Sequence, residues 1–150
     1  MNKTLKILSC LILLLTAVSP LDAQWRVVNR LNNGSEIQSV SENYSVNREG
    51  NYVISVKRYF PNFEDNRGFY ERNHVANITM FEINANLKNY RCIGDEWLDS
   101  NGKRAEYKDY ESLNSRDRNN GWKVMNPKEN SAWGKLWREI IDILPSKTPK

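Results

Sequence analysis

From residue 25 onward, short runs of alternating apolar and polar residues follow one another, and only the last run changes to a helical period. Residues 52–60 alternate most clearly. Tyr52, Ile54 and Val56 fall on one face, and Ser55 and Lys57 on the other, as in a half-buried strand. Residues 25–31 are rich in β-branched and aromatic side chains and predict an opening strand, which the turn residues Asn32-Asn33-Gly34-Ser35 end. Residues 39–46 predict a second, short strand. The Arg48-Glu49-Gly50-Asn51 stretch after it predicts a hairpin into the third strand. Pro61 stops that strand, and residues 62–73, polar and carrying Gly68, predict a long loop.

Residues 74–83 form the next strand, with an imperfect period. Ile78 and Met80 fall on one face but Phe81 and Ile83 on the other, so either a bulge shifts the register or both faces are covered. Residues 87–93 and 96–99 continue the meander. Asn101-Gly102 is the strongest turn signal, and residues 104–110 predict the returning strand. Residues 112–121 are a charged, polar loop. The period then switches. Trp133, Leu136, Trp137, Ile140, Ile141 and Leu144 recur at steps of three and four, Ser131 is placed to cap the start, and Pro145 stops the end. The predicted fold is therefore α+β: an antiparallel meander of about six strands with one C-terminal amphipathic helix. That helix packs on one sheet face through Trp133, Leu136, Trp137 and Ile140.

The N-terminus follows a different pattern. Lys3 and Lys6 precede an apolar run over residues 7–18, and Leu21-Asp22-Ala23 follows, the order of a secretory signal. The run is about 12 residues, short of the roughly 20 that a spanning helix needs. Residues 1–23 are thus read as a cleavable signal peptide, 24–145 as a single domain and 146–150 as a tail. The exported product would sit at the cell surface, outside the cell or in the periplasm, with no transmembrane anchor.

Charge and cysteine content narrow the partners. The net charge is +4, with both signs interspersed and no run of Lys or Arg longer than two, which is no nucleic-acid footprint. Cys10 leaves with the signal and Cys92 remains alone, so no disulfide is expected within the mature chain. A lone exported cysteine is either a buried thiol or an intermolecular bridge, and the strand-like setting of Cys92 favours burial.

Candidate chemistry is sparse. His74 is the only histidine, there is no clustered Cys/His set for zinc and no Gly-rich phosphate loop. Asp95, Glu96 and Asp99 lack calcium-loop spacing and read as a solvated turn. No enzyme activity, cofactor or metal is expected. The aromatics carry more. Five Trp and seven Tyr are present, and most of the Trp read as core. Around the long loop, however, Arg58, Tyr59, Arg67, Tyr70 and Arg72 combine the residue types that dominate protein-binding hot spots, and form a candidate protein-contact loop.

Trp25, Tyr44-Ser45-Val46 with Arg48 before a glycine, Ile83, Tyr90-Arg91, Asn101-Gly102-Lys103, Trp122-Lys123-Val124, Pro127 and Ser131 occur in the order and spacing of the bacterial surface-adhesin protein E family. The chain resembles that family over nearly all of residues 24–144. The resemblance implies an exported, non-enzymatic binding domain of bacteria that contacts host extracellular-matrix or plasma proteins and can form a homodimer. The alternative is a periplasmic structural or accessory protein without a host ligand. The family pattern also implies a disulfide and often a lipid anchor. This chain has Ala85 and Ile140 or Ile141 where the pattern has cysteines, and no lipoprotein signal.

Overall fold

The computed structural model describes residues 24–61 and 74–145. They form a mainly β, curled antiparallel sheet carrying one C-terminal helix, the α+β arrangement that the pattern predicts. The strands are β1 (Trp25–Leu31), β2 (Glu36–Val46), β3 (Tyr52–Tyr59), β4 (His74–Ile83), β5 (Asn89–Asp99), β6 (Arg104–Asp109) and β7 (Lys123–Val124). β1 to β6 lie side by side in chain order, and β7 pairs with β5 beyond the end of β6. A short helix, α1 (Glu111–Asn114), follows β6, and α2 (Ala132–Ile143) closes the described chain. The proposed signal peptide and tail lie outside the described residues.

Register explains the core. Val40, Val56 and Thr79 stand opposite one another across β2, β3 and β4. Ile54, Phe81 and Cys92 form the next row across β3, β4 and β5, and Tyr52, Ile83 and Tyr90 the one after. All point to the concave face. There Leu136, Trp137 and Ile140 of α2, with Leu144 at its C-cap, cover the apolar rows, and none is more than 4% exposed. Four such side chains, each worth roughly 1.5–3 kcal/mol on burial, are what the helix contributes to the core. Ser131 caps α2 as expected, its hydroxyl accepting from Gly134 N at 3.1 Å. Arg26 of β1 ties the helix to the sheet edge by donating to Glu42, Glu139 and Asp142 at 3.1, 3.2 and 2.8 Å. Tyr52 Oη donates to Pro145 O at 2.8 Å and holds the far end.

The structure differs from the sequence reading in four places. β2 starts at Glu36, three residues early, because Glu36 and Gln38 are polar yet buried and so hide the strand period. β5 is a single strand rather than two. Ile93 is its extra residue, between the pairs Phe81–Cys92 and Met80–Gly94. β4 has its own bulge at Val75, between the pairs His74–Asp99 and Ala76–Leu98, while the one beside Met80 and Phe81 lies in β5. Both faces of β4 are covered as well, since Ile78 and Met80 are half-buried while Phe81 and Ile83 are buried. The loop after β6 contains α1 and ends in β7, elements too short to show a period. Finally, Trp133 packs only one side of its ring, against Trp137 and the edge of Phe81, and stays 49% exposed. The sheet residues at the very start of α2, Asn29 and Gln38, are polar and leave the rest of the ring without an apolar row beneath it.

Candidate functional site

The described residues cover only half of the concave face. Beyond the start of α2 it turns polar and opens into a cleft of about 700 Å³. Its floor is the sheet, one wall is the first turn of α2, and the opposite wall is the segment from Tyr110 to Lys123. Concave pockets of this size, mostly apolar with a few placed polar groups, are the usual form of a ligand site.

One end of the cleft is aromatic. Trp133 stacks on Trp137 at 5.5 Å, Tyr90 lies 4.3 Å from Trp137, and Phe81 meets both tryptophans edge-on at 6.3 and 5.6 Å. Trp137 is the buried centre of this group, while Phe81, Tyr90 and Trp133 face the cleft. The rings therefore hold Trp133 in place although half of it is in solvent.

The other end is polar. Arg58 Nε donates to Glu36 Oε1 at 2.7 Å. Asn29 Nδ2 donates to Gln38 Oε1 at 2.6 Å and to the Ala132 carbonyl at 2.9 Å, which fixes the start of α2 over this end. Gln38 is 4% exposed, and its Nε2 donates to no protein group. That nitrogen is not sealed off from solvent, so its donor opens to the cleft. Behind the middle of the floor, Asp95 accepts from Thr79 Oγ1 and, at 2.7 Å, from Tyr110 Oη. Burial, reinforced by Asp95, pushes the Tyr110 phenol well above its ordinary range.

The far wall is held by local bonds. Asn114 Nδ2 donates to the Cys92 carbonyl at 2.8 Å and fastens α1 to β5. Gly121 has φ +77°, and a Cβ there would strike the Asn114 side chain, so only glycine suits this point. Cys92 is free and half-buried on the floor. Burial first, and the negative charge of Asp95 second, push its thiol up to about 11.

The residues of the predicted contact loop fare differently. Arg58 and Tyr59 are the last two residues of β3 and point to opposite faces. Arg58 walls the cleft, and Tyr59 is exposed on the convex side. Arg67, Tyr70 and Arg72 lie outside the described residues. His74 begins β4 and stacks on Trp97 at 5.3 Å. Asp95, Glu96 and Asp99 are not gathered together. Asp95 binds Thr79 and Tyr110, Glu96 pairs with Arg104 at 2.9 Å, and Asp99 caps the turn at Asn101 and Lys103. Among the described residues no cluster of His, Cys, Asp or Glu could hold a metal ion, and no helix is long and apolar enough to cross a membrane.

Glu36, Gln38 and the exposed Trp133 escape sequence reasoning. Their only signal is that the alternate positions 36 and 38 are polar where the inward row of β2 continues to Val40. No family model, curated protein or solved structure matches the chain. The likeness to the surface-adhesin protein E family therefore rests on the sequence positions alone.

Proposed function

We propose that this chain is an exported, non-enzymatic binding module that contacts extracellular-matrix or plasma proteins of a host through the open half of its concave face. The observation that carries the reading is the cleft itself. Among the described residues a helix covers one half of the sheet face and leaves the other half open, with a ring-braced, half-exposed Trp133 at its rim. A large exposed aromatic held rigid by neighbours loses little entropy on binding, the property that makes tryptophan an anchor. The polar groups of the cleft are mostly spent on one another: Arg58 on Glu36, and Thr79 and Tyr110 on Asp95. That arrangement suits recognition better than proton transfer. The resemblance in sequence adds the surface location and the homodimer to the proposal.

Two measurements test it. Mass spectrometry of the exported protein is expected to find a chain beginning at Gln24, and an intact N-terminus would refute export by a cleaved signal. Residues 24–150 are expected to bind at least one of a panel of immobilised matrix and plasma proteins saturably, and to lose that binding on Trp133→Ala. Failure to bind any of them would remove the host-contact reading.

A further inference from the structure

We propose that the cleft is a saccharide site, taking one neutral pyranose ring of a glycan against Trp133. This deepens the binding-module reading and rests on it. Three observations point the same way. First, the exposed ring of Trp133 is a flat apolar surface at the rim of a cleft whose other end is polar, stacked from behind by Trp137. The face of an indole is electron-rich, and the C–H face of a pyranose, polarised by its ring and hydroxyl oxygens, is the matching surface.

Second, Gln38 presents an amide donor with no protein partner although the residue is almost wholly buried. Its Oε1 is fixed by Asn29, so the amide cannot turn away and its Nε2 donor keeps one direction. Opening to the cleft, this donor is met by water until a ligand acceptor of fitting geometry replaces that water. A sugar hydroxyl is such an acceptor. The Glu36 carboxylate nearby accepts from Arg58 and Asn32 through one oxygen each, and its remaining lone pairs can take a sugar hydroxyl.

Third, the charges of the described lining cancel. Among the described residues it carries two acidic side chains, Glu36 and Asp117, and two basic ones, Arg58 and Lys123. Glu36 and Arg58 are paired with each other. An ionic ligand would find no net opposite charge there, whereas a ligand with many hydroxyls and no charge meets a cleft with apolar surface at one end and polar groups at the other.

The test uses residues 24–150 and a panel of methyl pyranosides of glucose, galactose, mannose, N-acetylglucosamine and N-acetylgalactosamine. At least one is expected to give a saturable change in tryptophan emission, with saturation transfer to its ring protons. Trp133→Ala is expected to weaken it about tenfold or more. Gln38→Glu, which keeps the acceptor for Asn29 and removes the donor, is expected to weaken it as well, with folding of both variants checked by their melting curves. No response to any pyranoside would overturn the proposal. So would a response that both folded variants retain in full.

A second arm separates this proposal from the reading beneath it. A matrix glycoprotein that binds the domain is compared before and after enzymatic removal of its glycans. Loss of binding supports the saccharide site. Equal binding after removal overturns the saccharide site and leaves the binding module standing, whereas no binding to either form overturns both.

Discussion

Arg91 donates to Glu82 at 2.6 Å across neighbouring strands β5 and β4, and Glu82 is only 2% exposed. The other carboxylate oxygen accepts from Asn47 at 2.7 Å and Asn51 at 2.8 Å. One buried charge thus ties the β2–β3 turn to the middle of the sheet. Glu82→Gln keeps the shape but turns an amide N–H toward the Arg91 guanidinium, which also donates. Removing one partner of a buried pair costs about 3–5 kcal/mol, and the partial exposure of Arg91 places this case near the lower figure. The expected fall in Tm is on the order of 10 °C. A variant that melts like the parent would show that the network adds nothing to stability.

The same carboxylate sets an acid limit. Burial alone would raise the Glu82 pKa, but the hydrogen bonds from Asn51, Arg91 and Asn47 outweigh it and hold the group below its ordinary 4.5. A depressed folded pKa means that the stabilisation is fully present above 4.5 and is lost as the pH falls through the folded value. The Tm gap between wild type and Glu82→Gln is therefore expected to be constant near neutrality and to close below pH 4.5. Melting curves of both proteins across an acid series measure it. A gap that widens in acid would contradict the sign of the shift.

Gly134 offers a test of how closely α2 approaches the turn before it. Glycine to alanine inside a helix ordinarily gains about 1 kcal/mol. Here an added Cβ would fall inside contact distance of the Glu129 carbonyl, a backbone atom that no rotamer change can move aside. Gly134→Ala is expected to lower Tm, with an overpacking cost of roughly 1–3 kcal/mol. A raised Tm would mean that the turn at Glu129 yields freely.

Much of this fold is legible in the residues. β3 shows its period because its inward residues Tyr52, Ile54 and Val56 are apolar, and α2 shows both a cap at Ser131 and a stop at Pro145. The cleft is not legible, for a physical reason. Its lining comes from β1, β2, β3, β4, β5, the segment after β6 and the first turn of α2, so no one stretch carries its pattern. Glu36 and Gln38 can be buried because Arg58 and Asn29, on the neighbouring strands, each donate to one of their oxygens. Hydropathy along a strand has no access to such partners.

Cys92 lies half-buried in the lining of the cleft, and its reactivity reports on that burial. With its thiol pushed up to about 11, only about one molecule in a thousand carries the thiolate at pH 8. Native protein is expected to react with a thiol reagent far more slowly than protein in denaturant, where one equivalent per chain should label. A native rate equal to the denatured one would place the sulfur in open solvent. A dimer band that disappears with reductant would identify an intermolecular bridge.

The two neighbouring tryptophans of α2 should separate stability from binding. Trp137 is 3% exposed and is in contact with Phe81, Tyr90 and Trp133. Truncating a core tryptophan to alanine costs about 3–5 kcal/mol, a large share of a domain stability of roughly 5–15 kcal/mol. Trp137→Ala is therefore expected to unfold at much lower urea than the parent. Trp133 keeps about half its surface in water, and its loss removes one side of a stacked pair without opening the core, so Trp133→Ala is expected to cost about 1 kcal/mol. Urea titrations of the two variants side by side decide the matter. Equal and large losses would make Trp133 a core residue after all, and the exposed half of its ring would then need no ligand to account for it. A small loss at Trp133 beside a large one at Trp137 would leave that ring with little part in holding the fold, and therefore available for contact.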